Sequence, residues 1–159
     1  MKAISNDFKE NNDNIIAELN ILFDIDNTFY YKPKTKEELI NYIKAKIKIY
    51  GNTCNLNNID VSEITDMSNL FEDSKFNGNI SKWDVSNVTN MQNMFAWSKF
   101  NQDIGKWNVS NVENMSGMFK QSLFNQDISN WDCSHVYYAY RTFNNCPINY
   151  NHNKKPKNL

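Results

Sequence analysis

The chain is poor in the residues that usually punctuate or staple a fold: four glycines, three prolines and three cysteines in 159 residues, with a formal net charge of −1. Each shortage excludes something. Cys54, Cys133 and Cys146 are odd in number and lack framework spacing, so reduced thiols or at most one fortuitous bridge are expected. A balanced charge argues against dominant binding to nucleic acid or to an anionic membrane, because both depend on a clustered positive field. No apolar run approaches a membrane span, and Met1-Lys2-Ala3-Ile4-Ser5-Asn6-Asp7 lacks the apolar stretch of a signal peptide. As written, the chain is expected to stay where it is made. Cys133 and His135 are the only neighbouring Cys/His pair, too few for a metal site, and no metal or cofactor is expected.

What the chain does have is 40% hydrophobic residues, 14% aromatics and 29 asparagines, enough for one domain with a core. It also has a repeat. Trp83-Asp84-Val85-Ser86-Asn87-Val88 returns 24 residues later as Trp107-Asn108-Val109-Ser110-Asn111-Val112. Met91, Met94 and Phe95 return as Met115, Met118 and Phe119, and Phe100-Asn101-Gln102-Asp103-Ile104 as Phe124-Asn125-Gln126-Asp127-Ile128. Degenerate copies flank these two, from Ile59 upstream and from Trp131 to Tyr150 downstream, giving about four units.

A fixed period of this size predicts a solenoid, in which stacking supplies the core that no unit can build alone. Within a unit, Trp83 to Val88 reads as a short strand, Met91, Met94 and Phe95 as one face of a short helix, and Phe100 to Ile104 as the return. The expected fold is therefore an α/β repeat, a short leucine-rich-repeat-like solenoid with one strand and one helix per 24-residue coil. Recurrent Met, Phe and Trp columns are expected as core, and Asn77, Asn101, Asn125 and Asn149 as a hydrogen-bonded ladder between coils.

Residues 1–58 read as a helical N-terminal region and cap, 59–150 as the four-unit solenoid, and 151–159 as a disordered polar tail. Ile15, Ile16, Leu19, Leu22 and Phe23 recur at helical spacing. Thr35-Lys36-Glu37-Glu38 is a capping box opening a second helix, with Leu39, Ile40, Ile43, Ile47 and Tyr50 inward, Lys44, Lys46 and Lys48 outward, and Gly51 as C-cap. Between them, Asp24-Ile25-Asp26-Asn27-Thr28 after an apolar stretch resembles the first motif of haloacid-dehalogenase-type phosphatases. That resemblance implies a nucleophilic Asp24 and an acid/base Asp26 with magnesium, but it spans only eight residues and the repeats leave no room for the family's remaining motifs. A helix-to-loop junction is the expected reading, and no catalytic residue is assigned.

The run Phe-Asn-Gln-Asp-Ile-x-x-Trp-Asp/Asn-Val-Ser-Asn-Val-x-Asn-Met-x-x-Met-Phe, together with the lead-in from Lys32 to Leu39 and Ile59 to Phe71, resembles the BspA-like leucine-rich-repeat surface-protein family over roughly residues 32–150. The resemblance implies a non-catalytic solenoid of the kind found in surface or secreted proteins that adhere to host or matrix proteins.

Positions that vary while their neighbours stay fixed are the candidates for recognition. One column is Glu72, Ala96, Lys120, Asn144 with Asp73, Trp97, Gln121, Asn145; the other is Glu63, Asn87, Asn111, His135 with Thr65, Thr89, Glu113, Tyr137. Trp97 lies off the repeated Trp column and suits an exposed aromatic anchor. The expected partner-binding residues are Trp97, Lys120, Tyr137, Tyr140 and Arg141. The expected function is protein–protein interaction by a monomer, adhesin-like toward a host protein or as an intracellular or viral interaction module. A carbohydrate-binding adhesin is the alternative and the phosphatase a remote one.

Overall fold

The computed structural model describes residues 31–157 and 159. The helical pattern of Ile15 to Phe23 and the Asp24–Asp26 motif lie outside the described residues.

The α/β solenoid expectation is overturned. The described residues contain one α-helix, α1 (Lys36–Tyr50), the short 3-10 turns Pro147–Tyr150 and His152–Lys154, and isolated bridges in place of strands. None of these helices lies inside a full repeat unit. The 24-residue period is nonetheless physical: single parallel bridges join Asp66 to Asn90, Asn90 to Asn114 and Asn114 to Tyr138.

Hydrogen bonding explains why neither helix nor strand forms. In the segment expected to be helical, the N–H groups of Met94, Ala96 and Ser98 close turns onto the carbonyls of Met91, Asn93 and Phe95. The alternate N–H groups, of Met91, Asn93, Phe95 and Trp97, instead cross to the carbonyls of Asn114, Ser116, Met118 and Lys120 in the next unit, at 2.8–2.9 Å. An α-helix would consume every N–H four residues back and leave nothing for the neighbour, and so short a helix nucleates poorly. A strand fails because half the amides are folded into turns. The result is a ribbon of tight turns in which Asn69, Asp73, Asn93, Trp97, Gly117, Gln121, Arg141 and Asn145 have positive φ. At Gly117 a side chain would meet the Asn93 carboxamide, which would have to swing aside, so glycine suits the position by space as well as by φ.

The segment expected as a strand is likewise a turn. Asp84 accepts from the Ser86 N–H at 3.1 Å and Val88 donates to the Val85 carbonyl at 2.9 Å, an arrangement repeated at Asn108–Ser110 and Asp132–Ser134.

Side chains stack on their own copies. Phe71, Phe95, Phe119 and Phe143 form a column with centroids 5.6, 5.6 and 6.0 Å apart, and Phe76, Phe100 and Phe124 a second at 6.3 Å. Trp83, Trp107 and Trp131 form a third, and each indole N–H donates to a carbonyl of the preceding unit, Leu56, Ile80 or Ile104. Such pairs contribute about 0.5–1.5 kcal/mol each beyond area burial. The expected asparagine ladder runs through two rungs, Asn101 N–H to Asn77 Oδ1 and Asn125 N–H to Asn101 Oδ1; Asn149 bonds Cys146 instead.

α1 opens as its capping residues direct, with Glu38 N–H donating to Thr35 Oγ1 at 3.1 Å, while the Glu38 carboxylate reaches the Lys34 N–H and not that of Thr35. Gly51, at φ 82, closes it by donating to Ile47. Leu39, Tyr42 and Ile43 join the common core. The inward stripe differs from expectation: Lys46 is buried, its ammonium over the rings of Tyr42 and Tyr50, whereas Tyr50 is exposed. A long aliphatic stem can lie on apolar surface if its charge finds aromatic faces.

Within residues 151–159, expected as a disordered tail, Lys154 lies against the third unit. The Ile128 N–H donates to the Lys154 carbonyl at 2.9 Å and the Lys154 ammonium to the Asn125 carbonyl at 2.7 Å. Among the described residues no helix is long and apolar enough to cross a membrane.

Candidate functional site

The five expected recognition residues fall into two groups. Trp97 pairs with Lys120, whose ammonium is 5.6 Å from the indole centroid; Tyr140 pairs with Arg141, whose guanidinium carbon is 4.9 Å from the phenol ring. Tyr137, three residues before Tyr140 in the sequence, is 70% exposed.

Trp97 is 48% exposed and has φ 61. The left-handed region suits glycine, asparagine and aspartate; a bulky residue held there costs about 1–3 kcal/mol. The same phase of the other units carries Asp73, Gln121 and Asn145. The ladder does not need the indole, since Trp97 donates its backbone N–H to Lys120 at 2.8 Å as any residue could. Its ring instead forms one wall of an open depression of about 520 Å³ whose other walls are Asn69, Glu72 and Asp73. An aromatic face beside two carboxylates and a carboxamide can hold an apolar or cationic side chain, or the face of a sugar ring. Asn69 was not expected in this site, although the Asn69, Asn93, Gly117 column is a sequence signal for left-handed turns.

In the second variable column, Asn87, Asn111 and Glu63 are spent on structure. The amides of Asn87 and Asn111 donate to the Ser62 and Ser86 carbonyls at 2.8 and 2.7 Å. Glu63 is held by Lys34 at 2.9 Å and Lys32 at 3.3 Å, and these lysines keep its carboxyl below the usual range. Asp60 is lowered by the Ser62 hydroxyl and N–H and then by Lys32, at 3.2 Å. For Asp66 burial pushes upward, and the Ser68 hydrogen bonds with Lys36 at 3.0 Å outweigh it.

The three cysteines are free and buried. Burial raises all three thiols, Cys133 to about 12 with help from Asp132, so none is poised as a nucleophile.

A family model described as Mycoplasma protein of unknown function, DUF285, matches residues 37–155. No curated protein and no solved structure matches the chain.

Proposed function

We propose that this chain, which belongs to the DUF285 family, is a non-catalytic repeat protein that binds another protein, with Trp97 as its anchor. The observation that carries the reading is the half-exposed indole kept on left-handed backbone, where it serves no core contact of the repeat and opens onto the Asn69, Glu72 and Asp73 depression. Aromatic anchors flanked by polar groups dominate binding energy at interfaces. Two carboxylates beside the ring favour an apolar or basic partner segment, and the Lys120 ammonium lies over the ring. The likeness of the repeat to BspA-like surface proteins supports an adhesin-like use of this surface; an intracellular or viral interaction module is the other setting.

The test is capture from host or parent-cell lysate by wild type and Trp97→Asn side by side. Asparagine tolerates the left-handed backbone, so the variant removes the ring without straining the fold. A protein retained by wild type and lost by Trp97→Asn supports the reading, whereas equal retention removes Trp97 from it. The depression's mix of indole, carboxamide and carboxylates also favours one second reading, a carbohydrate-binding adhesin, which a glycan array without hits would eliminate.

A further inference from the structure

The last unit ends the ladder with its donors unspent. In each earlier unit, alternate N–H groups cross to carbonyls 23 residues on: Met115 to Tyr138, Gly117 to Tyr140, Phe119 to Thr142 and Gln121 to Asn144. The equivalent N–H groups of Ala139, Arg141, Phe143 and Asn145 have no acceptor among the described residues. The carbonyls of Ala139, Arg141 and Phe143 are turned back into local turns with Thr142, Asn144 and Cys146. This edge therefore presents hydrogen-bond donors without matching acceptors, unlike an ordinary strand edge, which offers both.

Its surroundings have the same sign. A depression of about 300 Å³ lies along the edge, lined among others by Arg141, Phe143, Asn149, Lys155 and Leu159, with no Asp or Glu side chain in its lining. From residue 131 onward the basic side chains are Arg141, Lys154, Lys155 and Lys157, against one acidic side chain, Asp132. The Lys155 ammonium rests on the Asn149 oxygens and over the Phe143 ring, so no anion neutralises it there. Backbone amides converging from turns with left-handed residues form anion-binding concavities, and a positive rim strengthens them.

We infer that this open edge is a second interaction surface, separate from the Trp97 depression, and that it captures an acidic, extended peptide segment of a partner protein. The segment's carbonyls and carboxylates complete the row of N–H groups, as in strand addition, while Arg141 and Lys155 hold its charge. The donor-only edge argues against a two-fold-related second copy, since two such edges would face donor to donor. Head-to-tail stacking would bring it to the first unit, where Lys36 already bonds Asp66 and Ser68, and self-association of the free chain would mark that occupant and overturn the inference.

The test uses the full chain with a fluorescently labelled octaglutamate peptide, with octalysine and inorganic phosphate as controls, read by anisotropy and by amide hydrogen exchange. Expected are saturable binding of octaglutamate that weakens with salt, no binding of octalysine, and slowed exchange at residues 139, 141, 143 and 145. Arg141→Asn keeps a residue suited to φ 58 while removing the cation, and is expected to weaken binding about tenfold, the loss of one charge-assisted contact. Trp97→Asn is expected to bind the peptide as wild type does, which separates this surface from the first. No octaglutamate binding, protection confined to other amides, or full competition by millimolar phosphate alone would each overturn the inference.

Discussion

At the first unit the chain lays Lys32, Lys34 and Lys36 onto Asp60, Glu63 and Asp66 and seats Leu39, Tyr42 and Ile43 of α1 in the core. At the last unit the ribbon ends bare, with Tyr137, Tyr138 and Tyr140 between 65% and 70% exposed, whereas in the third unit Asn114 and Ser116, the counterparts of Tyr138 and Tyr140, are half-buried. The repeat makes every unit both a surface for its predecessor and a template for its successor. Termination must therefore be encoded outside the repeat. Residues before the first unit supply it through the Tyr31 bridge to Ile59 and through Lys36 on Asp66 and Ser68; residues 147–159 supply it only on the return side, where Lys154 accepts from Ile128.

The sharpest way to test this contrast is to remove matched rings. Phe119 stacks on Phe95, Phe124 and Phe143, so Phe119→Ala is expected to lose about 3–5 kcal/mol in urea denaturation. Among the described residues Phe143 has one ring neighbour, Phe119, and beyond that only the Lys155 ammonium over its ring, so Phe143→Ala is expected to lose about 3 kcal/mol, the low end for this substitution. Equal losses would mean that the last unit is as enclosed as the third. At the closed end, Leu39→Ala is expected to cost about 2–3 kcal/mol, because a fully buried side chain of α1 is removed. A change below 0.5 kcal/mol would show α1 to be idle as a cover.

Much of this architecture was legible beforehand. The period, the stacked Phe and Trp columns and the asparagine ladder follow from identical residues at identical phase. The helix α1 follows from Thr35, Glu38 and Gly51. Secondary structure inside the unit was not legible, because Met91, Met94 and Phe95 at helical spacing sit equally well on a ribbon of turns; the distinguishing signal was the left-handed column Asn69, Asn93, Gly117. Of the candidate site, Trp97 and Lys120 were read from column variation and are in contact, whereas Asn69 was missed as a partner wall. The burial of Lys46 was missed because its rank as a charged residue hid an aliphatic stem that Tyr42 and Tyr50 can cover.

Smaller effects refine the picture. Trp97→Asn is expected to leave stability unchanged or raise it by about 1 kcal/mol, since the ring is held on backbone that asparagine adopts more readily. A loss above 1 kcal/mol in the same denaturation assay would make the indole a structural residue. At the closed end, Glu63 and Asp60 have lowered pKa values, so their contribution is present above the ordinary carboxylate range and disappears as pH falls through the lowered values. Lys34→Gln should therefore differ from wild type in melting temperature at pH 7 by a degree or so, and the gap should close below pH 4 and at high salt. A gap that persists at pH 2 would assign the loss to packing and not to charge. The raised thiol of Cys133, at about 12, predicts labelling by a thiol reagent at pH 8 only as fast as the chain opens.

The central contrast is tested most directly by residue-resolved amide hydrogen exchange on the free protein. The N–H groups of Met115, Gly117, Phe119 and Gln121 are expected to exchange slowly, because each is bonded to the next unit, and those of Ala139, Arg141, Phe143 and Asn145 quickly. Equal protection of the two rows would contradict the account, since it would mean either that the last edge is closed or that the units are not stacked in this register.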